Sequence, residues 1–525
     1  MNVPASTRPG GAPRRAVVIG AGTAGMLAAA ALHAYADVTV VERDALPEGP
    51  EPRRGLPQAR HAHLLWSGGV RATEDLLPGV TDAWLAAGAR WIPLPTGLVT
   101  LQPHGWLRRR PGTQFMIACS RDLLDSVLRD RISREPRITV TQRTELLGLE
   151  GGAAKVTGVR VRTPEGQERV LEADLVVDAS GRGSRAVSWL DALGVPQAPL
   201  EEVDSGLAYA SRIFRAPEGT EEYPVVSVQP NPAEPVPGRS ATVVPIEGGR
   251  WLVTLSGTRG GRPTGSAAQF EAFAREVRHP LVGELIARAE PLTDVVTRNA
   301  VNRRHLFERV RAWPEGFVVL GDAVATYNPV YGHGMSVAAQ GAVALRDHVV
   351  EYGLAAPGLA RRVQRAVSRP VATAWRLATS TDIRYPDAIG KPPGGMEKLL
   401  GRYLNRLGLT ATGHPPVAEE LLGVVTLSQP ITALLRPAVV LAVLRGPRRP
   451  PLTEPPLTNE ERDAVLGAPA RREHQEHGKA DARRQETPLL DEGTTSTGIT
   501  AGTGITAGTG VAASTEVPDS TEIAR

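Results

Sequence analysis

Residues 14–43 constrain this chain more tightly than any other stretch. Ala16-Val-Val-Ile19 is an apolar run of strand length, and it feeds into Gly20-Ala-Gly22-Thr-Ala24-Gly25 and then an Ala-rich segment. Short apolar runs of this kind read as buried parallel strands. A second run, Val38 to Val41, ends in Glu42-Arg43, with the acid 22 positions after the first glycine. Each spacing has a physical reason. Gly20 permits a tight turn, Gly22 lets the backbone approach a pyrophosphate, and Gly25 lets the helix pack closely on the strand. The helix N-terminus then faces the phosphates, and the acid can accept from a ribose hydroxyl. G-x-G-x-x-G alone is weak, but strand, helix, second strand and acid in register specify a dinucleotide-binding βαβ unit. The candidate cofactor contacts here are Gly20, Gly22, Ala24, Gly25, Glu42 and Arg43.

At 525 residues the chain has room for more than one domain. A net charge of +4 calls for no nucleic-acid surface. Only four of the 60 basic residues are lysines, Lys155, Lys391, Lys398 and Lys479. Cys119 is the one cysteine, which excludes an internal disulfide framework and any multi-cysteine metal site. Met1 to Pro13 has no apolar core of the signal-peptide kind, so a reducing cytoplasm is the expected compartment.

Residues 1–13 are Pro/Gly/Ala-rich and read as a flexible arm. Gln58-Ala-Arg-His61-Ala-His63 follows a Pro- and Arg-rich loop. Zinc would want three or four ligands and no third stands nearby, so the histidines read as structural or as polar contacts to a cofactor, with no metal expected. From Ser120 the apolar positions Leu123, Leu124, Val127, Leu128 and Ile132 share one helical face, with Ser120 as N-cap. Arg121 stands at the positive end of that helix, out of place unless an anion is near; a solvated surface arginine accounts for it equally well.

Period-two alternation from Ile138 to Val177, with a turn at Pro164-Glu-Gly166, predicts a small antiparallel meander. It runs into Leu175-Val-Val-Asp178-Ala-Ser-Gly181-Arg-Gly183, a buried strand closed by an acid and a glycine-rich turn. Residues 206–257 alternate again around Glu247-Gly-Gly-Arg250, with helical patterns at 267–277 and 281–289. Phe317-Val-Val-Leu-Gly321-Asp322 is a third strand–glycine–acid turn. The Pro329–Gly334 loop and an Ala-rich helix follow, the helix aiming its N–H groups at a ligand. Leu421 to Leu444 is apolar but broken at Pro430 and Pro437, too interrupted for a spanning helix; it reads as packing on the body, with membrane contact the weaker alternative. From about Thr453 the composition turns to Pro, Glu and Arg and then Thr, Gly and Ala, with Thr-Gly-Ile-Thr-Ala-Gly duplicated, and predicts disorder.

The fold class expected is α/β, a Rossmann-like cofactor domain with an inserted β-sheet substrate domain and a C-terminal helical region. The boundaries expected are 14–205 and 298–350 for the cofactor domain, with a segment near 90–118 joining the substrate domain. That domain is placed at 206–297, the helical region at 351–452 and a tail at 453–525.

Three motifs in this order resemble the class A flavoprotein monooxygenases of the para-hydroxybenzoate hydroxylase fold: G-x-G-x-x-G with Glu42, the Asp178–Gly181 turn, and Gly321-Asp322. The resemblance covers about 14–350 and implies FAD as cofactor. It implies that Arg121 serves the cofactor, that Asp322 meets the ribityl chain, and that the loop from Pro329 through Gly332 to Gly334 lies against the isoalloxazine. It adds Asp178, Gly181, Gly321, Met335 and Ser336 to the cofactor set. Aromatic hydroxylases of the fold commonly carry histidine where this chain has Ala325 and asparagine where it has Ser336. The form Gly334-Met-Ser336-Val-Ala is similar to squalene epoxidase. With Gln58-Ala-Arg-His-Ala-His and Trp313-Pro-Glu-Gly316 it resembles the flavin epoxidases of polyether biosynthesis.

What this implies is an enzyme that epoxidises alkenes in an apolar polyketide or polyene precursor of antibiotic biosynthesis. Reduced flavin and O₂ would form a C4a-hydroperoxide as oxygen donor. With one dinucleotide fingerprint, NAD(P)H must bind transiently or a flavin reductase must supply electrons; an acyl carrier protein is the other partner considered. Epoxidation needs no side chain to activate the substrate, and none is singled out as catalytic. The alternatives are a phenol hydroxylase, which needs a group to deprotonate or orient the substrate hydroxyl; a halogenase, which needs a relay lysine and W-x-W-x-I-P; and a flavin-binding or reductase role without oxygenation. Lys155 is the one lysine before 391, and W-x-W-x-I-P does not occur.

Overall fold

The computed structural model of the chain describes residues 13–466. Residues 1–12 of the expected 1–13 arm, and the expected tail beyond 466, lie outside those residues.

Five strands form a wholly parallel sheet in the order Phe317–Val319, Leu175–Asp178, Arg15–Ile19, Asp37–Val41, Ile138–Thr141. Arg15–Ile19 sits at its centre, its Ala16 to Ile19 buried on both faces as its continuous apolar run requires. The Thr23–Leu32 helix is alanine-rich and nearly all buried, because small side chains let it lie close between sheet and neighbouring helices. The helices Arg121–Ser133, Gly334–Tyr352 and Leu359–Asp382 complete this mixed α/β body.

The meander is shorter than the alternation indicated. Ile138–Thr141 and Leu175–Asp178 pair in parallel within the central sheet; the antiparallel part is Glu145–Gly152, Lys155–Arg162 and Glu168–Glu172. Alternation shows which side of a strand is buried, but it carries no information on the partner strand.

The second large sheet has nine strands. Its long central strand, Leu200–Arg215, pairs antiparallel with Val296–His305 and with Arg250–Gly257, which returns from Arg239–Ile246 through the Gly248-Gly249 turn. Both glycines there have positive φ, +71° and +62°, as a tight hairpin of this twist demands. The expected limits at 205/206 and 297/298 cut through two of these strands. Leu200–Val203 pairs with Asn302–His305, so the ladder carries the sheet beyond both limits. The segment near 90–118 divides: Leu98–Gln102 and Gly105–Trp106 join the large sheet, while Arg90–Leu94 and Gln114–Ala118 form a small sheet with Leu64–Trp66.

The Pro-interrupted stretch folds as Pro415–Val425, a turn at Ile431–Leu435, and Pro437–Arg445, packed against the Gly395–Gly413 helix. It also grips the body: Gln340 donates to the Leu427 carbonyl at 2.7 Å, and the Gly68 N–H to that of Thr426 at 3.1 Å. Among the described residues no helix is long and apolar enough to cross a membrane.

Order extends past the expected start of the tail. Trp106 N–H donates to the Leu452 carbonyl at 3.0 Å, Leu457 packs on the hydrophobic core beside the nine-stranded sheet, and Arg109 forms a two-pronged ion pair with Glu461 at 2.5 and 2.8 Å. Composition concealed this because the segment is held by a few specific contacts and buries little apolar surface of its own.

Candidate cofactor and substrate site

A cavity of about 710 Å³ opens where the C-terminal ends of the parallel strands meet the nine-stranded sheet. Crevices at this edge are where open α/β sheets bind ligands. Twelve of the sixteen expected site residues line it: Gly20, Gly22, Ala24, Glu42, Arg43, Arg121, Gly181, Asp322, Pro329, Gly332, Gly334 and Met335.

At one end Gly20, with φ +93°, turns the chain; a Cβ there would sit 2.9 Å from the Ala179 carbonyl oxygen. Gly22 as N-cap brings no side chain to the helix start, and a Cβ on it would meet nothing within 4 Å. The first-turn N–H groups of Thr23–Leu32 therefore face an open cradle. Glu42 stands beside it, its Oε2 accepting from Ala21 N–H at 2.8 Å and from Arg53 at 2.9 Å, its Oε1 from Asp44 N–H at 3.0 Å. A carboxylate offers about four acceptor positions, so one is left for a ribose hydroxyl.

Arg121 resolves its sequence-level ambiguity. It is buried, paired through Nε with Asp125 at 2.9 Å and donating to Thr23 Oγ1 at 2.6 Å, while Thr23 donates to Asp125 at 2.8 Å. Asp125 neutralises the charge one turn along and turns the guanidinium toward the first helix and the cavity.

Four expected contacts lie elsewhere. Asp178 is fully buried and accepts from Ser180 N–H, Ser180 Oγ and Ser184 Oγ at 3.0, 2.6 and 2.6 Å, so it shapes the turn that presents Gly181 and Arg182. Gly25 packs on the Gly20 carbonyl, and Gly321 on Ala24. Ser336 is buried against Gly69 of the Ser67–Leu76 helix. Helical geometry explains the last: Gly334, Met335 and Ala338 line the cavity, and Ser336 points away from them. Ala325, also buried, does not line it either, so neither replacement alters the polarity of the cavity wall.

The floor at the other end is Asn328 to Gly334. Trp66 Nε1 donates to the Tyr331 carbonyl at 2.9 Å, and Gly332, φ +66°, passes so near Trp66 that a Cβ would lie 3.0 Å from the indole nitrogen. Asp322 lines the wall 3.9 Å from Arg182; enclosure pushes its carboxyl pKa up, with Arg182 and Arg121 pulling the other way.

The roof comes from the large sheet through Tyr209, Arg298 and Asn299, with His61 and His63 beside it. His61 Nδ1 lies 2.8 Å from Ser211 Oγ, itself 2.6 Å from Thr254 Oγ1, and its ring meets Tyr209 edge-on. Burial lowers the His61 pKa to about 3 and that of His63 to about 4. Burial raises those of Tyr209 and Tyr327. Arg53, Arg182, Tyr209, Arg298, Asn299 and Asn328 escaped sequence reasoning. Arg182 alone had a signal, standing between two glycines already singled out. The end of the cavity at the roof is thus more polar than an alkene-binding pocket was expected to be, because the roof strand contributes Arg298 and Asn299 to its lining.

No lysine is in the wall; Lys155 is exposed at the start of the Lys155–Arg162 strand. Among the described residues no group of three or more His, Cys, Asp or Glu is placed to hold a metal. The open cradle at Gly22, the remaining acceptor position on Glu42 and a cavity continuing to the Pro329 loop would suit a flavin dinucleotide.

Comparison with known proteins agrees. A family model described as FAD binding domain matches residues 14–355. Protein Rv3254 of Mycobacterium tuberculosis is 30% identical over 431 residues, covering 79% of this chain and 90% of that protein. A kynurenine 3-monooxygenase of Salinispora arenicola is 29% identical over 381 residues, 69% of this chain and 79% of its own. A flavin-dependent brominase structure superposes with TM-score 0.57 at 14% identity, covering 78% of this chain and 92% of its own, a likeness of fold alone.

Proposed function

We propose that this chain, which belongs to the FAD binding domain family, is an FAD-dependent monooxygenase that epoxidises an alkene of a polyketide or polyene precursor. The resemblance to polyether and squalene epoxidases supports the finer part of this reading, and one feature of the cavity carries it. None of the three histidines in the wall, His61, His63 and His333, is a base near neutral pH. His61 and His63 are held near 3 and 4, so both are neutral and weakly basic, and the tyrosines are pushed the other way. Phenol hydroxylation gains from a group that takes the substrate proton; alkene epoxidation does not. The lack of a lysine in the wall weighs against halogenation.

FAD, once bound and reduced, supplies the activation of O₂. The protein's own contribution is placement. The Gly22 cradle holds the pyrophosphate, Glu42 the ribose, and Asp322 the ribityl chain. The Pro329–Gly334 floor and the Tyr209 roof enclose the reacting end and exclude water. Arg298 and Asn299 suit a precursor that carries oxygen functions beside its alkene. Electrons come from NAD(P)H or a separate flavin reductase.

The test supplies reduced FAD, ¹⁸O₂ and a trisubstituted polyene acid to the purified protein, with product analysis by mass. One labelled oxygen per epoxide is expected. Label confined to phenolic products from an aromatic acid, halogenated product on adding halide, or O₂ consumption with no oxygenated product would each overturn the epoxidase reading.

A further inference from the structure

A buried carboxylate outside the cavity wall fixes its floor. Asp382 ends the Leu359–Asp382 helix and is fully buried. It accepts from Asn302 Nδ2 at 2.7 Å, from Asn328 Nδ2 at 3.0 and 3.1 Å, and from Tyr331 OH at 3.0 Å. These donors belong to different parts of the molecule. Asn302 is on the Val296–His305 strand that also carries Arg298 into the roof, and Asn328 and Tyr331 belong to the floor. The triangle closes, because Asn328 N–H donates to Asn302 Oδ1 at 2.7 Å, and Asn328 Oδ1 accepts from Val330 N–H at 3.0 Å.

Among the described residues no Lys, Arg or His forms an ion pair with Asp382. Burying an anion on neutral donors costs several kcal/mol, and an apolar side chain of similar size would be no worse for stability. The carboxylate is therefore hard to explain as a stability device. It is the side chain that can only accept, and the side-chain groups it meets are donors. An amide in its place would set a donor against a donor.

We infer that Asp382 is a positioning residue for the flavin ring. Through Asn328 and Tyr331 it ties the Pro329–Gly334 floor to the roof strand at a fixed separation, and so sets the width of the slot between them. The inference rests on the flavin reading of the cavity, in which that floor takes the isoalloxazine. It gives the Leu359–Asp382 helix a role in the site although no residue of that helix lines the cavity.

The test measures FAD affinity of the apo-protein by flavin fluorescence, the visible spectrum of bound flavin, and thermal unfolding without flavin. Asp382→Asn should weaken FAD by about tenfold or more, the loss expected for hydrogen bonds to a charged group, and shift the flavin bands. Exchanging the two groups, Asp382→Asn with Asn328→Asp, restores an acceptor facing a donor and should bring affinity and spectrum back. Asp382→Asn that lowers the unfolding midpoint while leaving both flavin signals unchanged would make the residue structural only and overturn the inference. Should the single variant fail to fold, the exchanged pair decides: wild-type affinity upholds the inference, and a folded protein with tenfold weaker binding overturns it. A wild-type chain that binds no FAD would overturn the flavin reading and this inference with it.

Discussion

Gly25 lies so close beneath the Gly20 carbonyl that a methyl group on it would overlap that oxygen, whereas a Cβ on Gly22, two residues after Gly20, would meet nothing within 4 Å. Two glycines of one motif therefore do different work, and substitution separates them. Gly25→Ala should destabilise the fold by at least about 2 kcal/mol, since backbone cannot move aside as a side chain can. Gly22→Val should leave apo-protein unfolding unchanged yet abolish flavin binding, because the new side chain projects only into the cradle. A Gly22→Val protein that keeps its flavin spectrum would refute the placement of the pyrophosphate.

Arg53 is paired with Glu42 at 2.9 Å with both side chains buried, and it also donates to the Ala21 carbonyl at 2.8 Å. Removing one partner of such a pair leaves a buried charge uncompensated, at a typical cost of about 3–5 kcal/mol. The Ala21 and Asp44 N–H groups still hold Glu42, so Arg53→Ala should fall near the lower figure in urea unfolding. A loss below about 1 kcal/mol would mean that the backbone donors suffice.

Burial holds His61 near pKa 3, against an ordinary value of 6.5. Above about pH 6.5 the residue is neutral folded and unfolded, and contributes no pH dependence. Below it the unfolded chain takes a proton that the folded chain refuses, so stability is lost as pH falls, by about 1.4 kcal/mol per pH unit until the folded value is reached. His63 and His333, each near 4, add in the same direction. The buried carboxyls of Asp178 and Asp382 are shifted up and act oppositely. His61→Asn isolates one contribution: the stability difference between wild type and variant should change by about 2 kcal/mol from pH 6.5 to pH 5. A difference independent of pH would show that His61 is solvated.

The cofactor end of the site was legible in the sequence because its chemistry is backbone chemistry. Gly20, Gly22 and Glu42 must recur at fixed spacing wherever a turn admits a pyrophosphate. The roof was not legible. Tyr209 and Arg298 stand 89 positions apart and meet only through the register of two antiparallel strands, which alternation alone does not determine. Asp178 and Ser336 show the opposite limit. Each falls within a motif and is conspicuous for that reason, but one shapes a turn from below and the other packs against Gly69.

The same limit applies at the C-terminal side. Residues 453–466 carry a composition that cannot build a core, yet Arg109 holds Glu461 in two places and Tyr223 OH donates to its carbonyl at 3.3 Å. Chains ending at 469 and at 452 should therefore differ. The first should keep flavin content and unfolding midpoint, since composition assigns no core to what is removed. The second should lose about 1–3 kcal/mol, as a partly buried bidentate pair and its neighbours go. Equal midpoints would reduce the Glu461 contact to a surface feature.

The chemistry gives the last prediction. His61 and His63 are neutral from mild acid upward and the cavity tyrosines are pushed up, so none of these four groups changes charge between pH 6.5 and 8.5. Oxygen transfer to an alkene, measured in a single turnover with pre-reduced FAD, should therefore change by less than about threefold across that range. A reaction needing one deprotonated group would rise roughly tenfold per pH unit below the pKa of that group. Tyr209→Phe removes a roof hydroxyl while keeping the ring that meets His61, so it should shift which alkene of a polyene reacts and leave total oxygen incorporation within about threefold. A steep pH–rate limb that disappears in His61→Asn would identify His61 as a base and move the function to hydroxylation of a phenol.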